Sequence, residues 1–197
     1  MLPIYIVTGY LRSGTSMMMQ CLIKGGLTPV FDKKREIMNA RHGDKYYKPN
    51  LHGFYEPSMQ DFQDLRFPTQ FPGMLIKILR PGIAIMRPYD GGYHIVCMQR
   101  NKEEIRQSYE GFFGYPIKDH YFSEYDNFIN WISCHAMNRK DVISYNILQY
   151  RDVVENPVSS FAKLKDSGWP IDIDEASFGV DPTQYRFRLE RLTMGIS

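Results

Sequence analysis

The sequence predicts an α/β fold of three layers, in which helices cover both faces of a mostly parallel central sheet. Apolar, β-prone runs alternate with segments of helical periodicity, which is the pattern of successive βα units. The first unit is the clearest, because the apolar run at residues 4–7 passes through a short glycine-bounded loop directly into a helical segment. In such folds ligands bind at the carboxyl ends of the strands, so the same pattern indicates where a site should lie.

Residues that start and end helices bound several of the predicted elements. Gly25 and Gly26 end the first helix. Asp152 and the pair Asn156-Pro157 are start signals for the helix or helices that run to residue 165. Helices are therefore predicted at 15–24, 58–65, 102–113, 122–142 and 152–165. The tail after Gly168 is predicted to be irregular, with a turn or a short helix near 182–192.

The predicted strands are apolar runs bounded by turn residues. They lie at 4–7, 74–79, 93–99 and 145–150, with a further short strand at 27–30. Asn101 and Glu104 have the spacing of a capping box for the helix that follows the third of the four main strands. The polar stretch 31–58 predicts a long loop of the kind that often forms binding loops or lids.

Composition limits the class of protein. A chain of 197 residues is predicted to form a single domain, 1–197, with a sizeable core. Its net charge of +2 argues against nucleic acid as the partner. The chain has no apolar run of the roughly 20 residues that span a membrane, and no signal-peptide pattern precedes the first strand. Widely spaced cysteines without a metal-ligand pattern favour a reduced, cytoplasmic protein: Cys21, Cys97 and Cys134.

The strongest chemical signal is the loop Gly-Tyr-Leu-Arg-Ser-Gly-Thr-Ser at residues 9–16. A strand–loop–helix of this form directs backbone N–H groups and the positive end of a helix dipole at one point, where phosphate or sulfate can bind. Its spacing matches the P-loop, except that Thr15 replaces the lysine and Arg12 supplies a cation. This change argues against an ATPase or GTPase. The predicted anion-binding residues are Arg12, Ser13, Gly14, Thr15 and Ser16. A βα turn with a hydroxyl cap is the alternative, although a cap alone does not require so rich a motif.

A second pair of residues, Arg100 and Ser108, lies later in the chain. Arg100 follows a predicted strand, and Ser108 lies on the inner face of the next helix, so the two can converge on a second anion. Two alternatives stay open. Arg100 could belong to a surface salt bridge, and Ser108 could bond to a carbonyl oxygen of its own helix.

Together these motifs resemble the sulfotransferases. The loop is similar to their 5′-phosphosulfate-binding loop, and an Arg followed eight residues later by a Ser is similar to their 3′-phosphate motif. Two further segments, Gly-Phe-Tyr-Glu at 53–56 and the run at 146–157, also resemble family segments. The similar pieces occur in the family's order over about residues 4–170.

The resemblance implies a P-loop NTPase-like fold and the donor 3′-phosphoadenosine 5′-phosphosulfate (PAPS). It implies transfer of a sulfuryl group to a hydroxyl or amine of a small-molecule or glycan acceptor, with 3′,5′-bisphosphoadenosine (PAP) as the product and no metal. Arg12 would stabilise charge on the leaving phosphate, and Arg100 with Ser108 would bind the 3′-phosphate. Lys77 lies at the family's lysine position, although an edge lysine that extends to solvent is the alternative.

The general base departs from the family pattern. Many members carry a His two residues after that lysine, where this chain has Leu79. Glu56 is the predicted substitute, with His52 and Asp61 as further candidates, and the alternative is that Glu56 caps a helix. The family's late Arg-Lys-Gly element is not evident, and Arg186 or Arg188 could replace its arginine.

Two other functions stay open. Without the His, the chain could be a non-catalytic protein that binds PAPS or PAP. A small P-loop kinase is the other alternative, but it would need the loop lysine that Thr15 replaces and an Asp that holds Mg²⁺.

Overall fold

The structure, a computed structural model, describes residues 1–30, 57, 60–80 and 82–181. Within these residues one sheet contains four strands: β1 (Ile4–Gly9), β2 (Leu75–Lys77), β3 (Tyr93–Gln99) and β4 (Val142–Gln149). Their order is β2-β1-β3-β4, and every pair is parallel. All four carboxyl ends therefore lie along one edge of the sheet, and the predicted parallel α/β fold is confirmed.

The helices pack on both faces of this sheet. They are α1 (Thr15–Lys24), α2 (Lys102–Phe113), α3 (His120–Asn138), α4 (Tyr150–Glu155), α5 (Pro157–Asp166) and α6 (Ile173–Phe178). One apolar core lies under α1 and α5 and contains Met18, Leu22, Phe161, Leu164 and Trp169. The other lies under α2 and α3 and contains Ile105, Tyr125, Phe128 and Ile132. Since the two cores occupy opposite faces of the sheet, the architecture has the three layers expected.

The best-predicted elements are those with local start and end signals. Helices α1 and α2 have the predicted bounds, and Asn101 Oδ1 accepts a hydrogen bond of 2.8 Å from the N–H of Glu103 at the start of α2. Pro157 is the first residue of α5, where a missing N–H costs nothing.

Elsewhere long-range contacts change the predicted bounds. The strand predicted at 27–30 is a single parallel bridge from Pro29 to Leu75. The helix predicted at 122–142 ends at Asn138, and the backbone of the next residue, Arg139, is extended. The Arg139 guanidinium donates to the carbonyl oxygens of Met86 and Arg87.

Three further predictions differ from the structure. Tyr150 opens α4 rather than ending a strand, and the tail predicted to be irregular contains α6. In the described part of 58–65 only a 3-10 helix at Asp61–Gln63 is formed. The following predictions lie outside the described residues: Glu56, His52, Arg186, Arg188 and the turn or short helix near 182–192.

No helix in the described ranges is long and apolar enough to cross a membrane. The same ranges hold no group of three or more His, Cys, Asp or Glu residues that could bind a metal ion.

Candidate functional site

The loop between β1 and α1 contains three residues with positive φ, a backbone conformation that favours glycine. Gly9 and Gly14 have φ values of 156° and 99°, and Arg12 is a non-glycine residue with a φ of 67°. A Cβ on Gly9 would lie 2.8 Å from the carbonyl oxygen of Met98 on β3. The loop can therefore pass so close to the neighbouring strand only with glycine at this position. A side chain held at positive φ, as in Arg12, is typical of functional loops.

The hydroxyl residues of the loop have different surroundings. Ser13 is fully buried, and its Oγ donates a 2.7 Å hydrogen bond to the carbonyl oxygen of Tyr10, so this hydroxyl stabilises the loop itself. Thr15 and Ser16 begin α1. Gly14, the N-cap, has no side chain to cap the first turn. A helix end of this kind presents N–H groups to an anion.

Lys77, the last residue of β2, reaches the same place from the neighbouring strand. Its side chain is buried, and Nζ donates to Ser16 Oγ at 3.2 Å. The alternative of an edge lysine that extends to solvent is thus excluded. A lysine does approach the start of α1, but it comes from β2 and not from the loop position occupied by Thr15.

The two sequence motifs meet through Arg12 and Ser108. Arg12 Nε donates to Ser108 Oγ at 3.1 Å across 96 positions of sequence, and the guanidinium lies 4.5 Å from the centre of the Phe112 ring. Ser108 is buried on α2 and faces the loop instead of bonding to its own helix. The pKa of Arg12 is lowered, first by burial and then by the positive charge of Arg100. Two guanidinium groups at one site favour an anionic ligand.

Arg100, the residue after β3, is buried rather than part of a surface salt bridge. Its Nε donates to Glu104 Oε2 at 3.0 Å, and the two side chains are 7% and 3% exposed. Its Nη1 donates to the carbonyl oxygen of Arg12 at 3.4 Å. Glu104 thus uses its carboxylate for Arg100, a role that the capping-box spacing did not predict.

Tyr150 is the site residue that sequence reasoning missed. The Arg100 guanidinium lies 4.2 Å from the centre of its ring, and a Cβ on Gly14 would collide with the same ring. Burial raises the pKa of the Tyr150 hydroxyl. Its position directly after a strand was the available signal, because the end of β4 lies at the same edge as the ends of β1 and β3.

The loop is also fixed to α3 by aromatic side chains. Tyr10 donates to Glu124 Oε2 at 2.9 Å, and Arg80 donates to the same oxygen at 3.1 Å. Tyr121 donates to the carbonyl oxygen of Leu11 at 2.8 Å. Beside Arg12, half-buried or exposed rings form a continuous aromatic corner between α2 and α3: Tyr109, Phe112, Phe113, Tyr115, Tyr121 and Phe122.

The structure therefore brings together Arg12, Ser16, Lys77, Arg100 and Ser108 at one edge of the sheet. Asp61, a further candidate for the base, is in the 3-10 helix at Asp61–Gln63 and takes no part in these contacts.

Comparison with known proteins gives likenesses of low identity. No family model matches the chain, and no curated protein matches it. Retinol dehydratase with androsterone and the inactive cofactor PAP is 15% identical, with a TM-score of 0.47, over 93% of this chain and 64% of that chain. Retinol dehydratase with retinol and PAP is 14% identical, with a TM-score of 0.46, over 90% and 64%. An unliganded sugar kinase from a Janibacter species is 13% identical, with a TM-score of 0.43, over 92% and 99%. The chain thus spans about 64% of the length of the retinol dehydratase structures, and its function is inferred from its own residues.

Proposed function

We propose that this protein is a sulfotransferase that moves a sulfuryl group from PAPS to a hydroxyl or amine of a small-molecule or glycan acceptor. One observation carries the proposal. Arg12, in the loop before α1, donates to Ser108 and its carbonyl oxygen accepts from Arg100, so the two motifs that we predict to bind anions lie in contact.

The chemistry of the donor set suits a ligand with two anionic groups. In the described part of the site the charged side chains are Arg12, Lys77 and Arg100 and the carboxylate of Glu104, so this part carries a net positive charge. The N-terminus of α1 adds partial positive charge. We assign the 5′-phosphosulfate to the loop with Lys77, and the 3′-phosphate to Arg100 and Ser108.

The residues then have separate tasks in transfer. PAPS supplies an activated sulfuryl group on its 5′-phosphate. Arg12 and the loop N–H groups stabilise charge that develops on the departing phosphate oxygen. Lys77, beside Ser16, neutralises charge on the moving group. Glu56 is the proposed base: it takes the acceptor's proton while the acceptor's O–S or N–S bond forms and the S–O bond to the phosphate breaks. PAP leaves with the oxygen that had joined its 5′-phosphate to the sulfur.

Nucleotide selectivity tests the proposal. Thermal-shift and calorimetric titrations would compare PAP, ATP and ADP, each with Mg²⁺ and with a chelator. We expect PAP to bind most tightly and its binding not to depend on Mg²⁺, because side chains provide the charge stabilisation. Metal-dependent preference for ATP would instead favour a P-loop kinase.

A non-catalytic PAPS- or PAP-binding protein is the second candidate. The observation that favours this second candidate is Leu79, which stands where many sulfotransferases carry a His base. Conversion of PAPS to PAP with a panel of phenols, alcohols, amines and sugars separates the two functions. Tight PAP binding without turnover on the whole panel would favour the non-catalytic protein.

A further inference from the structure

Glu104 and Arg100 form a buried ion pair in the middle of the candidate site. The two side chains are 3% and 7% exposed, and Arg100 Nε lies 3.0 Å from Glu104 Oε2. A buried ion pair of this kind is weak evidence for stability, since removing two charges from water costs about as much as their attraction returns. Its position beside the loop between β1 and α1 points to a different role.

The geometry fixes the Arg100 guanidinium on several sides. Glu104 holds Nε, the ring of Tyr150 lies 4.2 Å from the central carbon, and the carbonyl oxygen of Arg12 accepts from Nη1 at 3.4 Å. Glu104 itself lies in the first turn of α2, and Asn101 caps this helix. The carboxylate is therefore held by a rigid element of the fold.

We propose that Glu104 is a positioning residue that makes this site selective for nucleotides with a 3′-phosphate. It acts through Arg100, whose planar group can bind a phosphate well only when its orientation is fixed. This inference rests on the proposed function, because it assigns the 3′-phosphate to Arg100 and Ser108.

Charge and positioning predict opposite effects, which makes the proposal testable. The Glu104 carboxylate is negative and lies close to the groups that would bind an anion. If its charge acted only through space, removing it would tighten the binding of PAP. If it positions Arg100, removing the charge weakens the bond to Nε, since an ionised acceptor binds about twice as strongly as a neutral one.

The experiment compares E104Q with the matched control E103Q. Glu103 is the preceding residue of the same helix, and its carboxylate pairs with Arg106 at the surface, with side chains 46% and 37% exposed. Calorimetry would measure the dissociation constants of PAP and of adenosine 5′-monophosphate, which lacks the 3′-phosphate. We expect E104Q to weaken PAP binding by about tenfold and to leave the monophosphate within about twofold, with no change for either ligand in E103Q.

Two further variants keep the result clear if E104Q folds poorly. E104D retains the charge on a shorter side chain. If Glu104 positions Arg100, E104D lowers the selectivity for PAP, whereas a pure charge effect leaves the selectivity unchanged. In an R100A background, adding E104Q should leave the ratio of the two dissociation constants unchanged, because the residue that Glu104 orients is gone.

Several outcomes would overturn the inference. Tighter or unchanged PAP binding in E104Q would do so, and so would an equal loss for both nucleotides, which indicates a general structural role. Failure of the wild-type protein to bind PAP would overturn the proposed function and this inference together. A wild type that prefers PAP, with the same preference in E104Q and E104D, overturns this inference alone.

Discussion

Substitution of Arg12 offers a test in which the side chain and the backbone can be separated. Arg12→Ala removes the 3.1 Å bond to Ser108 and the contact with the Phe112 ring. It also removes the guanidinium that we assign to the departing phosphate. We expect turnover of PAPS to fall by about 10²–10³, the usual loss for one donor to developing charge.

The expected loss of stability is small. A hydrogen bond contributes about 0.5–1.5 kcal/mol, and a cation over an aromatic ring about 0.5–1 kcal/mol. Part of this loss is offset, because the positive charges of Arg12 and Arg100 oppose one another at this site. The free energy of unfolding should therefore fall by only about 1 kcal/mol, so Arg12→Ala remains folded.

Arg12→Gly is the matched control for the backbone. The φ of 67° at this position is unfavourable for alanine and not for glycine. Arg12→Gly should therefore be more stable than Arg12→Ala by about 1 kcal/mol, although both are equally inactive. Urea unfolding measures the first difference, and conversion of PAPS to PAP with the acceptor panel measures activity. Near-normal turnover in folded Arg12→Ala would refute the role of the guanidinium, and greater stability of the alanine variant would refute the backbone argument.

Three further substitutions test other parts of the structure. Gly14→Ala should lose nucleotide binding in calorimetry and lower the unfolding midpoint. The added methyl group would collide with the Tyr150 ring, and the backbone φ of 99° at residue 14 is unfavourable for alanine. Normal binding would contradict this packing. Ser108→Ala should weaken PAP binding by about threefold to tenfold and leave adenosine 5′-phosphosulfate unaffected, whereas equal losses would mean that Ser108 only supports the helix. Burial lowers the pKa of His94 below the usual 6.5, so the imidazole binds a proton more tightly in the unfolded chain than in the folded protein. The folded protein therefore has its full stability from this group above pH 6.5 and loses it as the pH falls toward the folded-state pKa. His94→Gln should reduce the change in urea midpoint between about pH 7.5 and 5.5, and an unchanged difference would contradict the argument.

The elements that the sequence predicted well are those with local signals. Helix α1 has the predicted bounds because its apolar spacing and the glycines on both sides act within one segment. The ends of strands depend instead on the neighbouring strand. β2 is limited to Leu75–Lys77 although the apolar run is longer, since only those residues pair with β1. Tyr150 likewise suits a strand by propensity but begins α4, where its ring packs against the loop.

The candidate site also contains residues that local signals predict and residues that depend on long-range packing. The proximity of Arg12, Arg100 and Ser108 could be predicted from their residue types and spacing, whereas their binding of anions stays a prediction. Glu104 could not be assigned to Arg100, because a Glu in the first turn of a helix suits a capping box equally well. The choice between the two depends on burial, which comes from the packing of α2 against the loop and is not encoded locally.

The parallel sheet explains how residues far apart in sequence reach one place. The strand order β2-β1-β3-β4 aligns Lys77, the loop, Arg100 and Tyr150 along the carboxyl edge, and each follows or ends its own strand. Lys77 and Arg100 therefore approach the loop from opposite sides, β2 and β3 respectively. Among the described cations, Lys77 contacts the start of α1 through Ser16, and a ligand with one anionic group there meets Arg100 with a second anionic group by extending from the end of β1 toward the end of β3. This direction is what a nucleoside with phosphate groups at both ends of its ribose requires, and it is the reason that we assign the two cations to different groups of the same donor.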